Sequence, residues 1–583
     1  MTLLFLLLVV LGAPCATAQE DTGNIVGTIR DPSGAVVPNA KVVVTNLATH
    51  RAQDTQTNSE GQYVVLLVQV GTYSISVQKT GFQESIEKGI NVDVQSRLQV
   101  DFTLQVGAVV QQVRVTSAAP LLDTQSADVG QVVGEREISE LPLNGRRYDD
   151  LVFLTTGVTS VTPVMTNHGE GAFSVDGNTS MQNNFILDGV DNNSYDENMN
   201  TRSAQVVIPP VDALSEFKMQ THTYDVSFGR NAGSVINATI KSGSNEFHGD
   251  VWEFLRNKEL DANDWFLDQA GKPKAQYQQN QYGGTLGGPI KPNHTFFFIS
   301  DEHLSIRQGI TRLGSVPTPQ MRQYNFAELK TAPKLSASAP SQLQSQFAGC
   351  FTGATLSSGC VDPVGATIFA LYPLPNTNRS QEGVAKGFVG NNYIASPKFT
   401  QDKDSAVARI DTKWNDANKI YGHYVVMDTR QFTPGIFYGL QPAYLDGSAD
   451  NTYGLVFTRG TSVALVWTSI VNPWIVNEAR GGYNRDANQS KQAPYSTDNV
   501  SAQLGLQGIP AYSDGTEGGG LAPFAVTGFA SLGSPTYLPG SQYSNVYQGE
   551  DSLSMIRGPH TLRFGGGWRR DGNRFFDDCC VRG

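Results

Sequence analysis

Four carboxylates, Asp188, Asp191, Asp196 and Glu197, fall within one Gly/Asn-rich stretch, LDGVDNNSYDEN. Carboxylate and amide oxygens in that proportion suit a hard cation such as calcium. Their spacing does not follow the EF-hand pattern, so a calcium loop and a plain solvated loop both stay open. The eight histidines and five cysteines form no HExxH or CxxC spacing, and nothing supports a zinc or other metal site. Cys350 and Cys360 sit in the loop-like run FAGCFTGATLSSGC. In an exported chain they would form a local disulfide, two free thiols being the alternative. Adjacent Cys579 and Cys580 suit neither a metal site nor an ordinary disulfide. No Ser/His/Asp or metal constellation of a hydrolase is present, so no catalytic residue, no cofactor and no enzyme are expected.

Composition narrows the classes further. A chain of 583 residues suggests roughly three or four domains. Net charge −12 and a pI near 5.2 exclude a nucleic-acid surface, because no basic stripe exists to displace phosphate counterions. Glycine is plentiful at 59 and charge sparse at 16%, which suits strands and loops better than helical bundles. The mean hydropathy of −0.26 does not argue against a membrane, since barrel strands alternate lipid-facing apolar with lumen-facing polar residues. Met1–Ala18 reads as a secretory signal: Leu3–Leu11 is apolar but too short to span as a helix, and Ala16-Thr17-Ala18 offers a cleavage site before Gln19. Only the terminal amine is positive there. Cys15 invites a lipoprotein reading that Pro14, directly before it, disfavours.

From Gly23 to Leu104 strands are short and turns frequent. Ile25–Arg30 leads into Asp31-Pro32-Ser33-Gly34, Asn58-Ser59-Glu60-Gly61 precedes Gln62–Val68, and Tyr73, Ile75 and Val77 share one face of the next strand. This spacing predicts a β-sandwich of about eighty residues. The runs GTIRDPSGAVVPNAKV, TNSEGQY and GTYSISVQKTGF resemble the carboxypeptidase regulatory-like domain, of the carbohydrate-binding-like fold group. A zinc peptidase needs ligands that the module lacks, His50 being its only histidine. The resemblance implies a structural or interaction role and allows glycan binding.

Beyond Glu246 the chain reads as long hairpins. Ser405–Trp414 sets Ala406, Ala408, Ile410 and Trp414 opposite Val407, Arg409, Asp411 and Lys413. Short turns at Lys291–Asn293 and Asn415–Asn418 alternate with long loops at Gly309–Lys398, Gln431–Asn451 and Asp486–Ser544. Strands of roughly nine to eleven residues with Trp and Tyr near their ends match tilted bilayer crossings. Short inner turns and long outer loops are the asymmetry of outer-membrane barrels. About ten crossings are expected, and the run FFDDCCVRG does not make a closing strand. The alternative is a secreted β-rich adhesin.

Between sandwich and hairpins, APLLDTQSADVGQVV, LPLNGRRYDDLVFLTTGV, NNFILDGVDNN and YDVSFGRNAGSVINATIKSGSNEFHG resemble, in order, the plug of TonB-dependent outer-membrane receptors of the Oar-like group. FFFISDEHLS, SVPTPQMRQYNFAEL, LYPLPN and VNEARGGYN resemble its barrel. The resemblance implies a plug filling a wide lumen. Glu135–Glu140 is a short helix candidate that Pro142 ends, and Leu151–Leu154 would be the next buried element. Arg146 and Arg147 are expected to form plug–barrel ion pairs rather than ligand clamps. Gln111, Gln112, Val113, Arg114 and Val115 form a β-prone run placed where an energy-coupling contact with a TonB-type protein would lie, an ordinary first plug strand being the alternative. The fold expected is therefore mainly β: a small β-sandwich (19–106), an α+β plug (107–243) and an incomplete transmembrane antiparallel β-barrel (244–583), after a signal peptide (1–18). Its setting is the outer membrane of a Gram-negative bacterium. Its partners are outer-membrane lipid, the coupling protein and an extracellular small ligand or glycan. The mature chain should begin at Gln19. Intact mass of exported protein checks this, and a retained leader or lipidated Cys15 would refute it.

Overall fold

A computed structural model of the chain describes residues 22–107, 112–116, 129–160, 173–194, 204–328, 349–377, 390–440, 454–491, 500–508 and 521–577, less isolated positions within those spans. Ala18, Gln19, Gln111, Asp196, Glu197, Cys579 and Cys580 lie outside the described residues.

Alternation along Gly23–Arg30, Lys41–Asn46 and Gly71–Gln78 sends every second side chain inward, as a two-layer sandwich requires. One layer orders Gln62–Val68, Gly23–Arg30 and Arg97–Gln99; the other orders Ala52–Gln56, Lys41–Asn46, Gly71–Gln78, Glu84–Val92 and Gln112–Thr116. Ile25, Ile29, Val42, Ile75, Val77 and Ile90 fill the space between. Asp31 and Asn58 do turn work: Asp31 Oδ1 accepts from Ser33 N at 2.8 Å and Asn58 Oδ1 from Glu60 N at 2.9 Å.

The plug centres on a mixed sheet in the order Val129–Gly134, Leu214–His222, Val235–Ile240, Asn184–Leu187 and Val190–Asp191. A helix at Glu135–Glu140 and a 3-10 helix at Tyr148–Leu154 cover it, placing Ile138, Tyr148, Leu151 and Val152 in the core. That core continues into Phe298, Val407, Val425 and Met427 of the surrounding wall.

The wall is one sheet of nine antiparallel strands among the described residues: Val251–Asn257, Tyr277–Lys291, Thr295–Gly309, Lys398–Asn415, Asn418–Thr433, Gly454–Asn472, Ile475–Lys491, Gly540–Arg557 and His560–Asp577. It is open, its first and last strands being edges. About ten crossings were expected; within the long loop, Arg312–Gly314 and Tyr393–Ala395 pair with each other and do not cross. The strands are also longer than expected. Lys398–Asn415 has 18 residues and Gly454–Asn472 has 19, so ladders continue past the bilayer toward the long loops. Alternation holds throughout: Arg409 and Asp411 are buried inside, while Ile410, Trp414, Leu465 and Trp467 are exposed outside.

Beyond the wall's long-loop end, Val316, Tyr372, Tyr393, Phe437, Leu521 and Leu532 pack into a separate apolar core, and the Tyr372 hydroxyl donates to Ala530 O at 2.8 Å. Cys350 and Cys360 are joined there by a disulfide, their Cα atoms 5.7 Å apart. At the short-turn end the sandwich docks: buried Arg51 donates to His294 O at 2.7 Å and lies 4.8 Å over the Phe296 ring, while Leu66 and Leu67 pack against Val476 and Ile556. Replacing both Cys350 and Cys360 with serine should lower local stability by roughly 2.5–3 kcal/mol, the chain entropy released from so short a loop. Hydrogen exchange at Phe351 and Leu356 reads this, and unchanged protection would mean that the surrounding loops alone fix the segment.

Candidate functional site

The dipeptide Asp188-Gly189 joins Asn184–Leu187 to Val190–Asp191 as a two-residue hairpin turn. Both residues have positive φ, 48° and 74°, the condition of a type I′ turn and the reason an Asp-Gly pair stands here. The turn is the tip by which the plug meets the wall. Asp188 is fully buried. Its carboxylate accepts from Arg409 Nη1 at 3.0 Å and from Ile240 N at 3.0 Å, and it meets His423 Nδ1 at 2.7 Å. Arg409 also grips Asp411 through two bonds of 3.0 Å and lies 4.4 Å over Tyr421. Ser242 Oγ donates to Asp411 at 2.8 Å, and His423 Nε2 lies 3.2 Å from Ser462 Oγ.

On the far side of the turn, Arg480 donates to Gly189 O at 2.9 Å while paired with Glu478. A Cβ at Gly189 would fall 1.8 Å from Arg480 Nη1, so any side chain there would displace the guanidinium and be strained at this positive φ. Asp191 pairs with Arg569, its carbonyl accepts from Asn484, and Ser194 Oγ donates to Asp486 at 2.7 Å. One short plug hairpin thereby engages side chains from four wall strands. Buried pairs of this kind cost much to desolvate, and removing one partner strands the other, a loss of about 3–5 kcal/mol.

For Asp188 and Asp191 this placement differs from both sequence readings, while Asp196 and Glu197 lie outside the described residues. Asp188 and Asp191 are neither solvated nor grouped with other ligands; they are the plug's anions for wall cations. Among the described residues no group of three His, Cys, Asp or Glu side chains could hold a metal ion. The plug–barrel role expected of Arg146 and Arg147 is also corrected. Arg146 pairs with Asp212 and Arg147 with Asp149, both within the plug. Arg146 meets the wall by stacking 4.2 Å over Phe254, and its charge also acts on Glu302. The wall residues that matter, Arg409, His423, Arg480 and Arg569, went unassigned in the sequence. Their one signal was a charge on the inward face of a strand.

Above the latch, toward the long loops, a cavity of about 250 Å³ opens between plug and wall. Arg146, Arg147, Asp150, Glu302, Lys403 and Tyr277 line it, a polar set able to orient a small charged or hydroxylated ligand. Below, Gln112–Thr116 does not join the plug sheet. It runs parallel to Glu84–Val92 of the sandwich, with Glu84 opposite Gln112 and Lys88 opposite Thr116. Sandwich and plug meet at buried Glu216, whose carboxyl accepts from Val94 N, while Lys218 Nζ donates to Gln95 O at 3.3 Å.

A transmembrane sheet of alternating strands around a latched, globular insert defines an outer-membrane barrel protein of the Gram-negative envelope. The chain belongs to the family described as the outer membrane beta barrel domain, which matches residues 239–583; residues 24–105 match the carboxypeptidase regulatory-like domain. It is 27% identical over 297 residues to the TonB-dependent transporter Oar of Myxococcus xanthus, a match covering 48% of this chain and 26% of that protein. The chain thus spans about a quarter of the curated relative. Among solved structures, the outer membrane transporter YddB from Escherichia coli aligns at TM-score 0.43 and 13% identity, covering 76% of this chain and 48% of its own. A mutant ferric enterobactin receptor from Pseudomonas aeruginosa, in complex with enterobactin, aligns at 0.41 and 10%, covering 77% and 50%.

Burial pushes the Glu216 carboxyl up from 4.5 to about 8, and Asp93 pushes the same way, against the Val94 N–H and Lys218. A raised carboxyl favours the docked state fully below its ordinary range, and that contribution is lost as pH climbs through about 8. The sandwich–plug contact should therefore loosen between roughly pH 4.5 and 8, read as falling protection of the Val94 amide. Glu216→Gln should flatten the profile; an unchanged slope in that variant would assign the pH response elsewhere.

Proposed function

We propose that the chain is part of a TonB-dependent transporter that binds an extracellular ligand over the plug and admits it to the periplasm. The observation that carries this reading is the Asp188–Gly189 latch, a polar, multi-strand lock between a separate plug and the lumen wall. A permanent filler would be better served by an apolar contact, whereas charged pairs can exchange for water when the plug moves. The cavity lined by Arg146, Arg147 and Lys403 faces the long loops and is the place for the ligand. A siderophore, glycan or peptide all fit its chemistry, and the sandwich's fold relatives favour a glycan. Gln112–Thr116 is the coupling segment in this reading. It already forms a strand on a sandwich edge and can be taken over by a TonB-type protein through main-chain hydrogen bonds. The proposed role involves no bond chemistry.

A second reading, a barrel-anchored surface binding or adhesion protein, draws on the packed outer-loop core around Phe437 and Tyr372, which is built like a display platform. The two part on coupling. In the full-length protein, Val113→Pro removes a ladder donor and fixes φ. Uptake should fall to background while surface binding of the same ligand persists. Full uptake by this variant would place coupling elsewhere, and binding without uptake in the unaltered protein would favour adhesion.

A further inference from the structure

One hairpin of the sandwich touches the chain by which the plug joins the wall. Between Lys41–Asn46 and Ala52–Gln56 it ends in a turn fixed from within. Asn46 Oδ1 accepts from Ala48 N at 3.0 Å and from Thr49 N at 2.9 Å, and His50 takes a φ of 55°. The turn presents two groups outward. Ala48 O accepts from Asn245 N at 3.0 Å. Arg51 Nη2 donates to His294 O at 2.7 Å and to Asp411 O at 3.3 Å. Asn245 lies in the connection between Val235–Ile240 and Val251–Asn257, and its side chain makes two bonds of 2.8 Å with Asn293 of the wall's short turn.

The same connection is held to the wall nearer the plug. Gly243 runs so close that a Cβ there would fall 2.3 Å from Phe297 O, and Ser242 Oγ donates to Asp411 at 2.8 Å. Asp411 grips Arg409, and Arg409 bonds Ile240 O at 2.9 Å beside its bond to Asp188. Ile240 is the last residue of the plug strand that feeds the connection. A continuous run of contacts thus leads from the sandwich turn through Asp411 and Arg409 to the latch. Arg51 is 7% exposed, and its charge acts on Asp411. With the sandwich undocked, Asp411 would lose that cation and the connection would meet water, in which charged pairs contribute little.

We propose that this sandwich turn is an inhibitory clamp on the plug. Docked, it pins the connection at Asn245 and steadies the Asp411–Arg409–Asp188 cluster, so that undocking the sandwich loosens the latch. The clamp rests on these contacts, independently of the transport reading. Under that reading, a pull on Gln112–Thr116 reaches the sandwich first, because the strand lies on the sandwich's edge. Hydrogen exchange in the full-length protein tests the clamp. The Asn245 amide reports docking, and the Ile240 amide, bonded to Asp188, reports the latch. Val42 and Ile75, in the sandwich core, report an intact sandwich. Two variants undock the sandwich through different contacts. Arg51→Met removes the tie to His294 and Asp411. Leu67→Asn removes an apolar contact with Val476 and Ile556 that lies apart from the sandwich core, and asparagine tolerates the φ of 51° there. In each variant, exchange at Asn245 and Ile240 should rise together by about tenfold, the order expected from losing one such contact, with Val42 and Ile75 unchanged. Exchange that rises at Asn245 but stays slow at Ile240 would overturn the proposal, as would slow exchange at both amides in both variants. A variant that also exposes Val42 and Ile75 has lost the sandwich altogether, and slow exchange at Ile240 then counts equally against the clamp.

Discussion

Hydrocarbon offers no hydrogen-bond partner, and this single constraint organises the chain. Every amide of a crossing strand must pair with a neighbouring strand, so Asn418–Thr433 pairs with Gly454–Asn472 in unbroken register, and with Lys398–Asn415 in a register that shifts only beside the short turn, between Lys413 and Asn415. Pairing fixes the pleat, and the pleat fixes which side chains meet lipid. Polar residues are thereby forced inward in rows, where Arg409, His423, Arg480 and Glu478 would face an empty lumen. The plug answers that demand. Its Asp188–Gly189 turn and Asp191 supply carboxylates and carbonyls where the wall presents cations, so wall and plug complete one another's hydrogen bonding.

The two ends of the wall solve different problems. At the short-turn end, Asn293 adopts positive φ and Asn415 accepts from Ala417 N at 3.0 Å, chemistry that turns the chain in few residues. The sandwich settles there through Arg51 and Leu67. At the other end, ladders outrun the bilayer and the loops build an apolar core of their own. An exposed apolar loop would be an aggregation hazard, and packing Phe437, Tyr372 and Leu532 together with a disulfide nearby removes it.

Much of this was legible because period and punctuation are local. Alternation at Ala406–Trp414, the Asp-Pro-Ser-Gly turn and the Glu135–Glu140 helix follow from neighbouring residues alone, and each stands where the sequence placed it. Strand length was misjudged, since nothing local distinguishes residues in lipid from residues paired beyond it. The candidate site was the least legible part. Asp188 drew attention as an acid among acids, but its partners Arg409 and His423 are 221 and 235 positions away, and pairing at such distance leaves no local trace. Arg146 was misassigned for the same reason: its partner Asp212 is 66 positions off.

The plug's strand Val235–Ile240 passes into the first wall strand, Val251–Asn257, through a connection of ten residues. The insert is therefore tethered, and opening the latch is a unimolecular event. A tether this short holds the released turn at an effective concentration in the millimolar range or above, close to its own receptor. Closure needs no strong net attraction under that condition; weak, exchangeable contacts suffice to keep the resting state shut. If the latch opens, its re-closure is unimolecular and so independent of how many copies the membrane holds.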